Sequence, residues 1–193
     1  MAVSPAQTKL LIRQRRSIFP VTYNDQPIAD SVIKEILENA NWAPTHRRTE
    51  PWRFKVFRGN ARQRLSDYMA TWYKHNTAPE KFSEAKYLKT KRKPLQSSCV
   101  IAICMQRDPK ERVPEWEEIA AVACAVQNMW LTCSAYNIGC YWSSPQSMIE
   151  ADDFLNLQPG ERCLGVFYMG YHDMKETPRS RTPIEEKVVW MEE

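Results

Sequence analysis

The sequence predicts an α+β fold, with helices packed around a small central sheet, on three observations. Two unbroken apolar runs, residues 97–105 and 163–170, have the length of buried strands. Residues 116–138 form a long helical stretch that is apolar all round from Ile119 to Val126. Helical periodicity elsewhere does not alternate with strands as a βαβ chain would.

Ser4 and Pro5 form an N-cap and first-turn pair that opens a helix through Leu10, Leu11 and Ile12 to about Arg15. Arg15-Arg16-Ser17 follows. Two guanidinium forks and a hydroxyl suit a phosphate or a carbonyl-rich ring, but basic residues at a helix C-terminus also complement the dipole. Asp30 is placed as the cap of a second helix, with Val32, Ile33, Ile36, Leu37 and Ala40 at helical spacing.

Residues 43–54 come next, a connection with two prolines, a histidine, three arginines and a tryptophan. Pro44 and Pro51 stiffen it, which suits a planar polar ligand or a simple cap on the core. A strand at 54–57 leads into a helix from Asn60 to about His75, with Leu65, Tyr68, Met69 and Trp72 on one face. Residues 79–91 are helical again. Four lysines and Arg92 within residues 86–93 read as a solvated, dipole-complementing face, one of whose cations can reach a ligand phosphate.

The all-round apolar helix at 116–138 is easiest to bury if a second subunit covers one side, so a homodimer is expected. Asn137-Ile138-Gly139 ends it. The next segment, 140–145, reads as a second stiff loop of aromatics and hydroxyls. A short helix spans 152–157. The tail, 171–193, is polar, yet Val188, Val189 and Trp190 are too apolar to hang free.

With 193 residues, one domain (1–193) is expected, large enough to bury roughly 70% of its unfolded surface. Its 43% hydrophobic and 26% charged content excludes a disordered chain. No apolar run reaches eighteen residues, and residues 1–9 lack a signal-peptide core. The six cysteines contain no Cys-x-x-Cys and stand apart from His46, His75 and His172, so a zinc site is not expected. Reduced, apolar-flanked cysteines point to the cytoplasm. A net charge of +4 is too mild to argue for nucleic acid. Five glycines, with no Gly-x-Gly-x-x-Gly or P-loop, argue against a Rossmann or Walker site.

Four stretches together carry a resemblance. Arg15-Arg16-Ser17 follows a first helix, and Ala43-Pro44-Thr45-His46 with Pro51-Trp52 precedes a strand. Trp142-Ser143-Ser144 follows a long helix, and Arg179-Ser180-Arg181 precedes Pro183-Ile184-Glu185-Glu186. Across the whole chain this order and spacing resemble the FMN-dependent nitroreductase superfamily, in its compact bacterial branch. The resemblance implies a small mixed sheet in an intertwined homodimer with two interfacial FMN sites. NADH or NADPH would reduce the flavin, which then reduces nitroaromatic, quinone or enone acceptors by a ping-pong route.

Carried over by position, Arg15, Arg16 and Ser17 match residues that hold the FMN phosphate, ribityl chain and pyrimidine edge. His46 matches a flavin contact reaching across the dimer. Trp142, Ser143 and Ser144 match the loop beside the ring edge and N5, and Arg179 and Arg181 match the pair that clamps the phosphate. The segment 171–193 would pack on the partner. The flavin carries the hydride chemistry, so no side-chain nucleophile is required.

Two positions depart from the pattern. Phe19 stands where many relatives place a cation near the pyrimidine edge, which lowers the flavin potential or hands the role to another arginine. Glu50 replaces a common glutamine and discourages anionic substrates. A flavin-binding protein without turnover, and a specialised reductase such as a dehalogenase, are the alternatives; neither nucleic acid nor membrane is an expected partner.

Overall fold

A computed structural model describes residues 3–175 and 180–192. Helix α1 (Pro5–Gln14) has Ser4 as its N-cap, as expected, and the cap is a full capping box: the Gln7 N–H donates to Ser4 Oγ at 3.2 Å, and the Ser4 N–H to Gln7 Oε1 at 3.1 Å. Helix α2 (Asp30–Asn41) buries Ile33, Ile36 and Ala40. Ala29, not Asp30, is its N-cap; the Asp30 carboxylate is turned instead to Arg58.

Strand β1 (Trp52–Phe57) starts two residues ahead of the expected strand and leads to α3 (Asn60–His75). The 79–91 stretch divides into a 3₁₀ turn, Pro79–Lys81, and α4 (Glu84–Gln96), which Ser83 caps. Strand β2 (Cys99–Gln106) precedes α5 (Glu115–Ala135). The long helix ends at Ala135, short of the expected Ile138, and the expected loop 140–145 is strand as far as Ser143, within β3 (Ile138–Ser143); its aromatics reflect a partly covered strand, and only Ser144 and Pro145 connect it onward. Short helices α6 (Gln146–Ile149) and α7 (Asp152–Leu155) lead to β4 (Glu161–Tyr171).

The sheet order is β1-β2-β4-β3, and its three ladders are antiparallel; the parallel character of the expected mixed sheet is confined to a bridge between Ser17 and Cys140. Strand β2 is apolar from Cys99 to Met105 because both sheet faces are covered. Ile101, Ile103 and Met105 join the core with α2 and α5, whereas Val100, Ala102 and Cys104 join Leu65 and Met69 of α3. Burial holds the Cys99 thiol up at about 12.

Helix α5 buries one stripe: Glu118, Ala121, Val122, Ala125, Val126, Met129 and Cys133. Glu118 is an ion-pair partner of Arg107 and accepts the Asp108 N–H at 2.9 Å, fixing the start of α5 to the end of β2. The opposite stripe, with Trp116, Ala120, Cys124 and Gln127, is exposed in the single chain. The expected burial on every side is therefore not reached within one copy. Residues 180–192 are also exposed, including Ile184, Val189 and Trp190.

Candidate functional site

The end of α1 delivers Arg15-Arg16-Ser17 to the outer edge of β3. Ser17 bridges to Cys140, and the Ile18 N–H donates to the Cys140 carbonyl at 3.0 Å. Trp130 of α5 grips this segment twice. Its ring lies 4.7 Å from the Arg15 guanidinium, and its Nε1–H donates to the Arg16 carbonyl at 2.9 Å. Tyr23 closes the other side, its hydroxyl donating to the Ile18 carbonyl at 2.7 Å. The Tyr23 ring occupies the space left by Gly170, where a Cβ would stand 2.5 Å from Tyr23 Cδ2.

Trp142, Ser143 and Ser144 continue along the same strand. Because the Cys140 carbonyl turns outward to Ile18, strand alternation turns the backbone N–H and carbonyl of Trp142 outward too, just beyond the bridged segment. The Trp142 indole is committed inward: Nε1–H donates to the Leu164 carbonyl at 3.2 Å. It lies against Gly165, whose φ of 128° and lack of a side chain let the ring pass. Ser143 is half-buried and Ser144 exposed. Two segments more than a hundred positions apart thus share one strand edge.

Recesses lie towards either end of this edge. One, of about 220 Å³, is lined by Arg16, Ile138, His172 and Lys175, among others. Burial pulls the His172 pKa below its ordinary range; Asp173 opposes this and Arg16 adds to it. Two cations, Arg16 and Lys175, with the His172 imidazole beside them around a small recess suit a phosphate-sized anion. The other recess is an open groove of about 620 Å³ lined by Phe19, Tyr141, Leu88, Lys89, Arg92 and Lys93. The Phe19 and Tyr141 rings sit 4.7 Å apart, and Lys93 Nζ is 5.7 Å from the Tyr141 centroid. An aromatic wall with a basic rim suits a flat ring that gains negative charge. Ile138 and Tyr141, which mark the two recesses, are roughly 10 Å apart at the usual strand rise.

The other expected residues lie elsewhere. His46 occupies a 3₁₀ turn, His46–Arg48, beside the start of α5, with Nδ1 2.6 Å from Glu117 Oε2. Trp130 is at the other end of that helix, roughly 20 Å from Glu117 at 1.5 Å per residue. One chain therefore does not bring His46 to Arg15–Ser17. The His46 loop holds left-handed backbone at Arg47 (φ 51°), Arg48 (φ 54°) and Glu50 (φ 42°), each costing about 1–2 kcal/mol. Arg181 is on the exposed tail, donating to the Ser180 carbonyl. Arg179 lies outside the described residues.

Sequence reasoning missed His172 and the Phe19–Tyr141 wall. The first follows a strand with no motif around it, and the second joins residues distant in the chain. The basic run at 86–93 was visible, but its contact with Tyr141 was not.

The Nitroreductase family model matches residues 12–171. The chain is 30% identical to YfhC of Bacillus subtilis, provisionally named an NAD(P)H nitroreductase, over 94% of this chain and 92% of that protein. The crystal structure of a nitroreductase-like family protein from Bacillus cereus superposes with a TM-score of 0.81 at 27% identity, covering 100% of both chains. A provisionally assigned nitroreductase from Desulfovibrio desulfuricans, solved in complex with FMN, gives 0.72 at 26% identity over 98% of both chains. The chain belongs to the nitroreductase family, and the fold is nitroreductase-like.

Proposed function

We propose that the protein is an FMN-dependent NAD(P)H oxidoreductase, working as a homodimer in the cytoplasm, that reduces nitroaromatic, quinone or enone-type acceptors by a ping-pong route. The observation that carries this reading is the shared β3 edge. There Arg15–Ser17 and Trp142–Ser144 converge between an anion-sized basic recess and an aromatic groove with a cationic rim. The donor set fits FMN. Arg16, His172 and Lys175 would hold the phosphate, and the outward backbone of Trp142 would meet the ring edge. Lys93 would supply the cation that Phe19 does not.

When bound, FMN supplies the hydride-accepting and electron-donating chemistry. The chain's residues would orient it, and Lys93 would stabilise negative charge at the ring edge. Two further features support a two-chain site. His46 meets the first turn of α5, whereas Arg15 and Arg16 meet Trp130 near its other end, a separation that an antiparallel pairing of two α5 helices across a two-fold axis would close. The open α5 stripe and the apolar tail offer the surfaces for that pairing, with residues 171–193 packing on the partner and bringing Arg179 and Arg181 to the phosphate. No helix among the described residues is long and apolar enough to cross a membrane.

The test is the visible spectrum of the purified protein before and after NADPH addition without oxygen. Flavin bands that bleach, and return on adding a nitroaromatic or quinone, are expected. Arg15→Ala and Arg181→Ala should each strip the flavin. Bound flavin that NADPH and NADH both leave oxidised would instead make this a flavin carrier, and a colourless protein that refuses FMN would remove the assignment.

A further inference from the structure

We propose that Glu117 is a positioning residue that fixes the tautomer and direction of His46, so that Nε2 is the ring nitrogen presented to a ligand. The proposal rests on the functional reading above for what His46 meets, but its geometry lies within one chain. His46 Nδ1 is 2.6 Å from Glu117 Oε2, a short contact in which a carboxylate can only accept, so Nδ1 carries the proton. The His46 side chain is 57% exposed and that of Glu117 25%. Among the described residues no hydrogen-bond partner meets Nε2, which is therefore the ring nitrogen left for a ligand.

The surroundings are built to hold this arrangement. Glu117 stands in the first turn of α5, where the helix dipole favours a carboxylate, and α5 is a 21-residue helix seated in the core. The histidine is on a loop stiffened by Pro44 and Pro51 and tied to itself. Thr45 Oγ1 accepts the Glu50 N–H at 3.1 Å and lies 3.1 Å from Thr49 Oγ1. Left-handed backbone at Arg47, Arg48 and Glu50 makes the loop's shape expensive, and such strain persists where a side chain must be aimed. A rigid helix thus orients a ring carried by a strained loop, as buried partners orient histidines in other sites.

The test is the long-range ¹H–¹⁵N spectrum of the ¹⁵N-labelled full chain at neutral pH, with His46→Gln identifying the His46 signals. A protonated Nδ1 and a pyridine-like Nε2 are expected. Glu117→Ala should move the ring to the Nε2–H form, and Glu117→Gln, whose amide oxygen still accepts, should keep Nδ1–H. In turnover, kcat for the acceptor should fall about tenfold in Glu117→Ala, the usual scale for a lost orienting partner, and recover largely in Glu117→Gln. An Nε2–H tautomer in the unmodified protein, or Nδ1–H retained in Glu117→Ala, overturns the proposal. The unmodified chain's spectrum decides even if Glu117→Ala fails to fold. A protein that takes up no FMN would defeat the functional reading while leaving the tautomer measurement to stand.

Discussion

Gly165→Ala should be the most damaging single-methyl change near the candidate site, and its cost can be worked from contacts. Gly165 has φ 128°, a region that L side chains rarely adopt, so backbone strain contributes about 1–2 kcal/mol. The new Cβ would stand 2.4 Å from the Ser143 carbonyl oxygen and 2.8 Å from Trp142 Nε1. Relieving that overlap moves β3 away from β4 and breaks the Trp142–Leu164 hydrogen bond, for a further 2–3 kcal/mol or so. The total is ~3–5 kcal/mol, about 10 °C in Tm for a chain of this size. Urea titration of the purified variant, with absorbance at the flavin band read alongside, measures both effects. Stability should drop by that amount and flavin occupancy with it, because the displaced strand carries Trp142 and Ser143. A loss under ~1 kcal/mol with full flavin retained would refute the claim that Gly165 is what seats Trp142.

Further outcomes follow from the same geometry. Trp130→Phe removes the donor to the Arg16 carbonyl and a good cation–π platform for Arg15, so stability should fall by ~1–2 kcal/mol and FMN should bind more weakly; flavin fluorescence titration reads the second. Lys93→Gln should lower the two-electron potential of bound flavin by roughly 20–30 mV, equivalent to about 1 kcal/mol, as followed by dye equilibration. The side-chain hydrogen bond from Arg112 holds the Asp108 carboxyl down at about 2. Its folded pKa is depressed, so its contribution is complete above the ordinary carboxylate range near pH 4 and disappears as pH falls towards 2. Asp108→Asn should flatten the stability curve across that window in acid denaturation.

The parts of the fold with strong periodic or punctuating signals were legible. Ser4-Pro5 announced α1, and the apolar runs announced β2 and β4. Strand β3 was not, because Tyr141 and Trp142 on a half-covered edge strand look in sequence like an aromatic loop; only pairing with β4 distinguishes the two. The segments of the candidate site were recognisable from their residue types, yet their convergence was not. Ser17 meets Cys140 through backbone, which leaves no side-chain signature. His172 gains significance only through burial beside Arg16. The contact of His46 with Glu117 spans 71 positions and arises from where α5 begins, a tertiary fact that no local pattern encodes.

The thiols in the core have a consequence for how the protein fails. Cys99, Cys104, Cys133, Cys140 and Cys163 are buried and unbridged, and burial raises the Cys99 thiol to about 12, far from the thiolate that oxidants attack. Folding is their shield. Once the sheet opens, five thiols enter water together with ordinary acidity, and random bridging between them locks the chain out of its native pairing. Heat inactivation in air should therefore be a one-way process with a scan-rate-dependent midpoint, becoming reversible when a reductant is present throughout.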